Sequence, residues 1–272
     1  MDLHKALIKA AQKIPRREAE MLAARALGKN RAWVIAHGEY SLSPTEAEAI
    51  ALTVEARALG SPIAYLVGER EFYGRSFKVD QRVLIPRPET ELLVEAALAR
   101  MPAGEANVLD LGTGSGAIAL TLALERPDSH VTAIDASDAA LDCASENAAS
   151  LQVENVSFMH GEWFTPVVGW TFDLIVSNPP YVAGEDAHLG QGDLRFEPRT
   201  ALTDGSGDGL ASIRAIVAGA PSHLSPGGWL LLEHGYDQAP ACAELLAASG
   251  FTELIALSDL AGIPRVAGGR KL

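Results

Sequence analysis

Three short stretches of this chain carry residue types that chemistry needs. Asp110-Leu111-Gly112-Thr113-Gly114-Ser115-Gly116 lies between two apolar runs. Glycines at a strand-to-helix turn let backbone approach a ligand closely, and the helix start offers unpaired N–H groups. On its own the turn fits a dinucleotide, adenosylmethionine or merely a tight bend. Asp135 ends the next apolar segment, about 20 residues on, where a carboxylate can accept from both hydroxyls of a ribose. That spacing points to an adenosine-containing ligand, against the plainer reading that Asp135 caps a helix near Ser137.

The third stretch, Asn178-Pro179-Pro180-Tyr181, follows the apolar run Phe172 to Ser177. An amide or aromatic amine nitrogen is a poor nucleophile because its lone pair is delocalised. Methylating it requires holding the NH2 group in line with an activated methyl. The Asn178 side-chain carbonyl and the Pro179 backbone carbonyl can each accept one N–H, aiming the nitrogen at a sulfonium methyl. Pro179 and Pro180 restrict the backbone that holds those carbonyls, and Tyr181 can pack flat on a planar amide or base. An Asn-Pro-Pro turn alone needs no function. In order with the glycine turn and Asp135 it has one.

These stretches need a scaffold. From Val108 onward strand-like and helix-like segments alternate: Val108 to Leu111, Ala117 to Glu125, Val131 to Asp135, Ala139 to Ser150, Val156 to Met159, Phe172 to Ser177, Leu210 to Ala220, Trp229 to His234, Ala239 to Ser249 and Phe251 to Leu257. Such alternation predicts an α/β domain, a mostly parallel sheet with helices on both faces, whose strand ends form a ligand crevice. Residues 1–70 read instead as a small helical domain. Leu3, Leu7, Ile8 and Ala11 recur at helical spacing, Pro15 suits a first helical turn and Gly28 a helix end, and another helix starts near Asn30. Ser43-Pro44-Thr45-Glu46 is a capping-box sequence that starts a helix running to Gly60. Between the two domains, Phe72, Tyr73, Phe77, Val79, Val83 and Leu84 alternate imperfectly around Gly74, which suggests a strand-pair linker over residues 71–86, leaving 87–272 as the α/β domain.

Composition narrows the functions open to this chain. With 48% hydrophobic and 21% charged residues, disorder is excluded as the main state. The formal net charge of -13 opposes broad binding to phosphate backbones or anionic lipid. Residues 1–70 hold 10 basic and 8 acidic side chains, so residues 71–272 hold the remaining 12 and 27, a net -15 on the domain that carries the motifs. No direct nucleic-acid binding is expected. Cys143 and Cys242 form no ligand or disulfide spacing, the histidines show no metal-ligand cluster, and no metal is expected. The two isolated cysteines fit a reducing cytoplasm, where the protein is expected; the first residues lack the layout of a secretory signal, and no apolar run suggests a membrane span. Nothing in the sequence calls for more than a monomer.

The three motifs in this order resemble class I adenosylmethionine-dependent methyltransferases that modify amino nitrogens. Two further stretches narrow the likeness: Pro62 to Gly68 with Phe72-Tyr73-Gly74, and Val83-Leu84-Ile85-Pro86-Arg87-Pro88-Glu89-Thr90-Glu91. Together with Gly161-Glu162-Trp163-Phe164, Arg195-Phe196-Glu197-Pro198, Asp208-Gly209-Leu210, Leu231 to Gly235, Asp259 to Gly262 and Pro264-Arg265-Val266, they resemble the HemK/PrmC family over essentially the whole chain. The resemblance implies a Rossmann-like domain with a seven-stranded sheet and S-adenosyl-L-methionine as cofactor. It further implies methylation of the glutamine side-chain amide in the Gly-Gly-Gln loop of class I peptide chain release factors. By the same resemblance Gly112, Thr113, Gly114, Ser115 and Gly116 line the methionine end of the cofactor, Asp135 holds its ribose, and Trp163 lies at its adenine. Asn178, beside the cofactor, with Pro179, Pro180 and Tyr181 holds the substrate glutamine. The N-terminal domain is expected to contact the protein substrate. Two rival readings are an N6-adenine methyltransferase and a binder of adenosylmethionine without chemistry. Glu89, Thr90, Glu91 and His234 are read as structural.

Overall fold

The computed structural model describes all residues 1–272. The chain divides into two compact units, Met1–Glu69 and Arg70–Leu272. In the first, five helices share one apolar core: α1 (Leu3–Ala10), α2 (Arg16–Leu27), α3 (Arg31–Ala36), α4 (Pro44–Ala58) and α5 (Ile63–Val67). Local chemistry sets their ends. Ser43 Oγ accepts from Glu46 N while the Glu46 carboxylate accepts from Ser43 N at 2.7 Å, the reciprocal capping box read from the sequence. Asn30 caps α3, and Gly28 ends α2 in the left-handed conformation. Leu3, Leu7, Leu22 and Val34 are almost wholly buried between these helices.

The second unit begins with a hairpin, β1 (Glu69–Phe72) and β2 (Arg75–Lys78), whose Phe72 and Phe77 rings meet edge to face in the core of this unit. The strands stop at Lys78. Val83 and Leu84, expected in the strand pair, lie in an irregular segment after it; Val79, Val83 and Ile85 are buried there without strand partners. A 3-10 turn at Pro88–Thr90 then leads into α6 (Glu91–Leu98).

Next come β3 (Asn107–Leu111), α7 (Ala117–Glu125), β4 (His130–Asp135), α8 (Asp138–Leu151), β5 (Val156–His160), β6 (Phe172–Ser177), α9 (Arg199–Leu202), α10 (Ala211–His223), β7 (Leu224–Glu233), α11 (Ala239–Ala248), β8 (Thr252–Ser258) and β9 (Pro264–Arg270). The larger sheet has seven strands in the order β5-β4-β3-β6-β7-β9-β8. Pairing is parallel from β5 to β7, and β9 runs antiparallel to both its neighbours.

The period of two along each strand sorts side chains to opposite faces. Val108, Leu174, Val176 and Leu231 enter the core shared with α6 and α7, whereas Leu109, Ile175, Leu230 and Leu232 enter the core shared with α10 and α11. Each fully buried leucine or valine contributes roughly 2 kcal/mol. Cys143 on α8 and Cys242 on α11 are both fully buried, and burial pushes their thiols up to about 11 and about 12. No helix is long and apolar enough to cross a membrane.

Candidate active site

Leu111 and Ser177, the last residues of β3 and β6, are register partners, and the Ser177 hydroxyl donates to the Leu111 carbonyl at 2.6 Å. The glycine turn and the Asn178–Tyr181 stretch therefore leave the sheet side by side. Chain order reverses between these strands, since β4 and β5 lie on one side of β3 and β6 and β7 on the other. An open parallel sheet forms its ligand crevice at such a point.

Gly112 and Gly114 have φ of 74° and 57°, conformations that cost a side chain dearly. A Cβ on Gly112 would meet the Trp163 ring at 3.9 Å, while one on Gly114 would project into open space. Gly116 serves packing instead: its Cβ would press on Leu120 and Ala144 at 3.0 and 3.2 Å. Thr113 and Ser115 are buried; the Thr113 hydroxyl donates to Asp110 Oδ2 at 2.7 Å, and the Ser115 carbonyl accepts from Asn147. Asp110 itself is fully buried with Oδ1 unpartnered. Desolvation, with the Asp135 charge adding to it and Thr113 opposing it, pushes its carboxyl up to about 7.

Asp135 is half-buried at the end of β4. It accepts from Gly114 N at 2.8 Å and from Ser137 N at 2.9 Å, so one carboxylate ties the glycine turn to the start of α8. The cap of α8 is Ser137, whose side chain accepts from Ala140 N. Each Asp135 oxygen retains acceptor capacity for a further donor. Trp163, at φ 48°, is half-buried and packs on the core beneath α10 and α11 while its ring edge faces Gly112.

Beside this turn, Asn178 Nδ2 donates to the Thr90 hydroxyl at 3.2 Å, which leaves Oδ1 as the acceptor of the side chain. Pro179 is buried and Pro180 half-buried. The Tyr181 hydroxyl donates to Glu233 Oε1 at 3.1 Å, and its backbone carbonyl accepts from Gln238 Nε2 at 3.0 Å. Gln238 Nε2 also donates to the Asp208 carbonyl, and Val182 and Gly184 donate to the carbonyls of Leu202 and Ser206. The segment after Tyr181 is thus clamped along residues 202–209.

The comparisons with known proteins bear on the whole chain. The family model described as PrmC N-terminal domain matches residues 3–68, and Methyltransferase small domain matches residues 88–193. A release factor glutamine methyltransferase of Xylella fastidiosa is 50% identical over 265 residues, covering 97% of this chain and 96% of the relative. One from Bordetella pertussis is 51% identical over 258 residues, covering 94% and 95%. The chain belongs to the release factor glutamine methyltransferase family. In fold, the T. thermophilus 16S rRNA N2 G1207 methyltransferase solved with AdoMet and guanosine is similar at a TM-score of 0.55 and 21% identity, over 75% of this chain and 50% of that one.

In this methyltransferase the fold brings the glycine turn, Asp135, Trp163 and the Asn178–Tyr181 stretch to one end of the sheet. It also recruits residues that the sequence reading passed over as site groups. Thr90 and Glu233 are 4% and 1% exposed and bond to the side chains of Asn178 and Tyr181. The buried Glu197 accepts from Ile85 N at 3.0 Å and pairs with Arg87, holding the segment that leads into Thr90. The stretch Arg195-Phe196-Glu197-Pro198 belongs to the family resemblance, but nothing local in it shows that Glu197 reaches Ile85 and Arg87. His234 is a core histidine: it is fully buried, its Nδ1 pairs with the Gly235 carbonyl, and burial pushes its pKa down.

Proposed function

We propose that this enzyme transfers a methyl group from S-adenosyl-L-methionine to the side-chain amide nitrogen (N5) of the Gly-Gly-Gln glutamine in class I peptide chain release factors. The observation that carries the reading is Asn178. Its NH2 is bound to Thr90, so its carbonyl is the group offered beside a glycine turn built for close approach.

The residues fit the cofactor. The open space over Gly114, the Trp163 ring across from Gly112 and the remaining acceptor capacity of Asp135 make a cradle with an acceptor for a ribose. In this reading Gly112, Thr113, Gly114, Ser115 and Gly116 line the methionine end, Asp135 holds the ribose hydroxyls, and Trp163 lies at the adenine. The bound cofactor supplies an electrophilic sulfonium methyl. Asn178 Oδ1 and the Pro179 carbonyl each accept one N–H of the substrate amide, Tyr181 packs on its plane, and Pro180 restricts the loop. Catalysis is mainly positioning. No strong base is required, because the nitrogen sheds its proton readily once alkylated.

The helical unit Met1–Glu69 is read as the contact for the protein substrate, and the enzyme as a monomer acting in the cytoplasm. The net -15 of residues 71–272 supports a protein loop over a phosphate-bearing substrate.

Incubation with labelled adenosylmethionine and either purified release factor or adenine-containing nucleic acid, followed by mapping of the label, tests the reading. Label on the Gly-Gly-Gln glutamine is expected. Label on adenine would overturn it, and label on neither would favour a binder. Asn178→Ala is expected to keep cofactor affinity while turnover collapses; equal loss of both would assign Asn178 a different role.

A further inference from the structure

We propose that Glu233 is a positioning residue that sets the polarity of the Asn178 amide, through Thr90 on one side and Tyr181 on the other. The proposal rests on the reading of Asn178 given above. Glu233 ends β7 one residue beyond Leu232, the register partner of Ser177, so it stands beside Asn178 at the sheet end. It is 1% exposed, and its Oε1 accepts from the Tyr181 hydroxyl at 3.1 Å.

A side-chain amide has nearly the same shape in its two flipped orientations, so its hydrogen-bond network must choose between them. Glu233, when ionised, only accepts. Burial pushes the Glu233 carboxyl above the usual carboxylate range, with Glu89 adding to this, while its close neighbours the Thr90 and Tyr181 hydroxyls and the charge of Arg265 act against it. Oε2 is buried and has no hydrogen-bond partner, so it is an acceptor still in want of a donor. A Thr90 proton directed at the carboxylate leaves Thr90 only lone pairs for Asn178, so Nδ2 must face Thr90 and Oδ1 must face the crevice. The flipped amide would present a donor to a substrate NH2, donor against donor. The acceptor at the reacting centre is thus specified two hydrogen bonds away, by a carboxylate that never meets the substrate.

The test compares Glu233→Gln, Thr90→Val, Thr90→Ser, the Glu233→Gln/Thr90→Val double variant and Asn178→Ala in the full-length enzyme with release factor. Expected are a fall in kcat of at least tenfold for Glu233→Gln and Thr90→Val with cofactor affinity within threefold, and recovery to within threefold in Thr90→Ser. The double variant should lose less than threefold beyond Thr90→Val. A flipped Asn178 would welcome a carboxylate, so a release factor carrying Gly-Gly-Glu should inhibit Glu233→Gln at least threefold better than it inhibits the wild type. Glu233→Gln with kcat within twofold of wild type, multiplicative losses in the double variant, or unchanged inhibition would each overturn the proposal. If Glu233→Gln does not fold, the Thr90 pair decides: equal activity of Val and Ser overturns it. An active Asn178→Ala would instead sink the underlying reading, so the two failures are distinguishable.

Discussion

Gly209 is pressed against the carbonyl of Tyr181: a Cβ built on Gly209 would stand 2.2 Å from that oxygen, and its φ is 66°. Backbone is met by backbone here, so no rotamer change can make room. The Asn178–Tyr181 stretch is held from its far side by a residue that must have no side chain. Gly209→Ala should lower stability by about 2–3 kcal/mol, the range of a strained residue, and displace Tyr181 enough to cut kcat roughly tenfold or more. Gly169→Ala is the control, since its φ of 83° is as strained but nothing lies within 4 Å. Denaturant unfolding and turnover of both variants check this; equal turnover would show that the contact does not position the loop.

Asp110 gives a pH dependence with a definite sign. Its carboxyl titrates near 7 in the fold and near 4 in the unfolded chain, so between those values the folded state holds a proton that the unfolded state has lost. Stability should therefore fall as pH rises from roughly 4 to 7, by at most about 4 kcal/mol, and Asp110→Asn should flatten this part of the profile. Urea midpoints of both proteins at several pH values measure it. Parallel profiles would mean that the buried carboxyl titrates elsewhere.

Asp135 ties Gly114 N to Ser137 N through two oxygens. Asn in its place keeps one acceptor oxygen and sets an NH2 against the other N–H. Asp135→Asn should weaken cofactor binding at least tenfold, read by calorimetry, and cost about 1–3 kcal/mol for the orphaned donor. Unchanged affinity would remove Asp135 from the ribose site.

Glu197 accepts from Ile85 N and pairs with Arg87, and its side chain is fully buried. Removing one partner of such a pair strands the other. Glu197→Ala should cost about 3 kcal/mol, whereas Glu197→Gln, which can still accept from Ile85 N, should cost about half as much. Equal melting temperatures for the two variants would show that the Ile85 bond contributes nothing.

Much of this architecture is legible in the sequence because its signals are local. The Ser43–Glu46 capping box, the αL residue at Gly28 and the apolar runs that became β3, β4 and β6 each declare themselves within a few residues. β9 does not: Pro264 opens it and Gly268-Gly269 break its pattern, although both glycines are required, since a Cβ on either would meet Leu231 or Phe251 within 2.7 Å. Val83 and Leu84 misled in the opposite sense. Val83 is buried for packing while the backbone around it is irregular, and burial alone resembles a strand. That the glycine turn, Asp135 and Asn178 would gather at one end of the sheet could be read from type and spacing. Thr90 and Glu233 could not, because their relation to Asn178 and Tyr181 exists only after strands far apart in sequence become neighbours.

The sealed setting of Cys143 and Cys242 has a practical corollary. Thiols this far from ionisation at neutral pH, with no solvent access, present no thiolate for alkylation or peroxide. The folded enzyme should pass through maleimide or iodoacetamide with its mass unchanged and remain active without reductant. One cysteine introduced on the exposed surface would then be the sole reactive handle, a ready attachment point for a fluorophore that reports substrate docking with the native pair left in place.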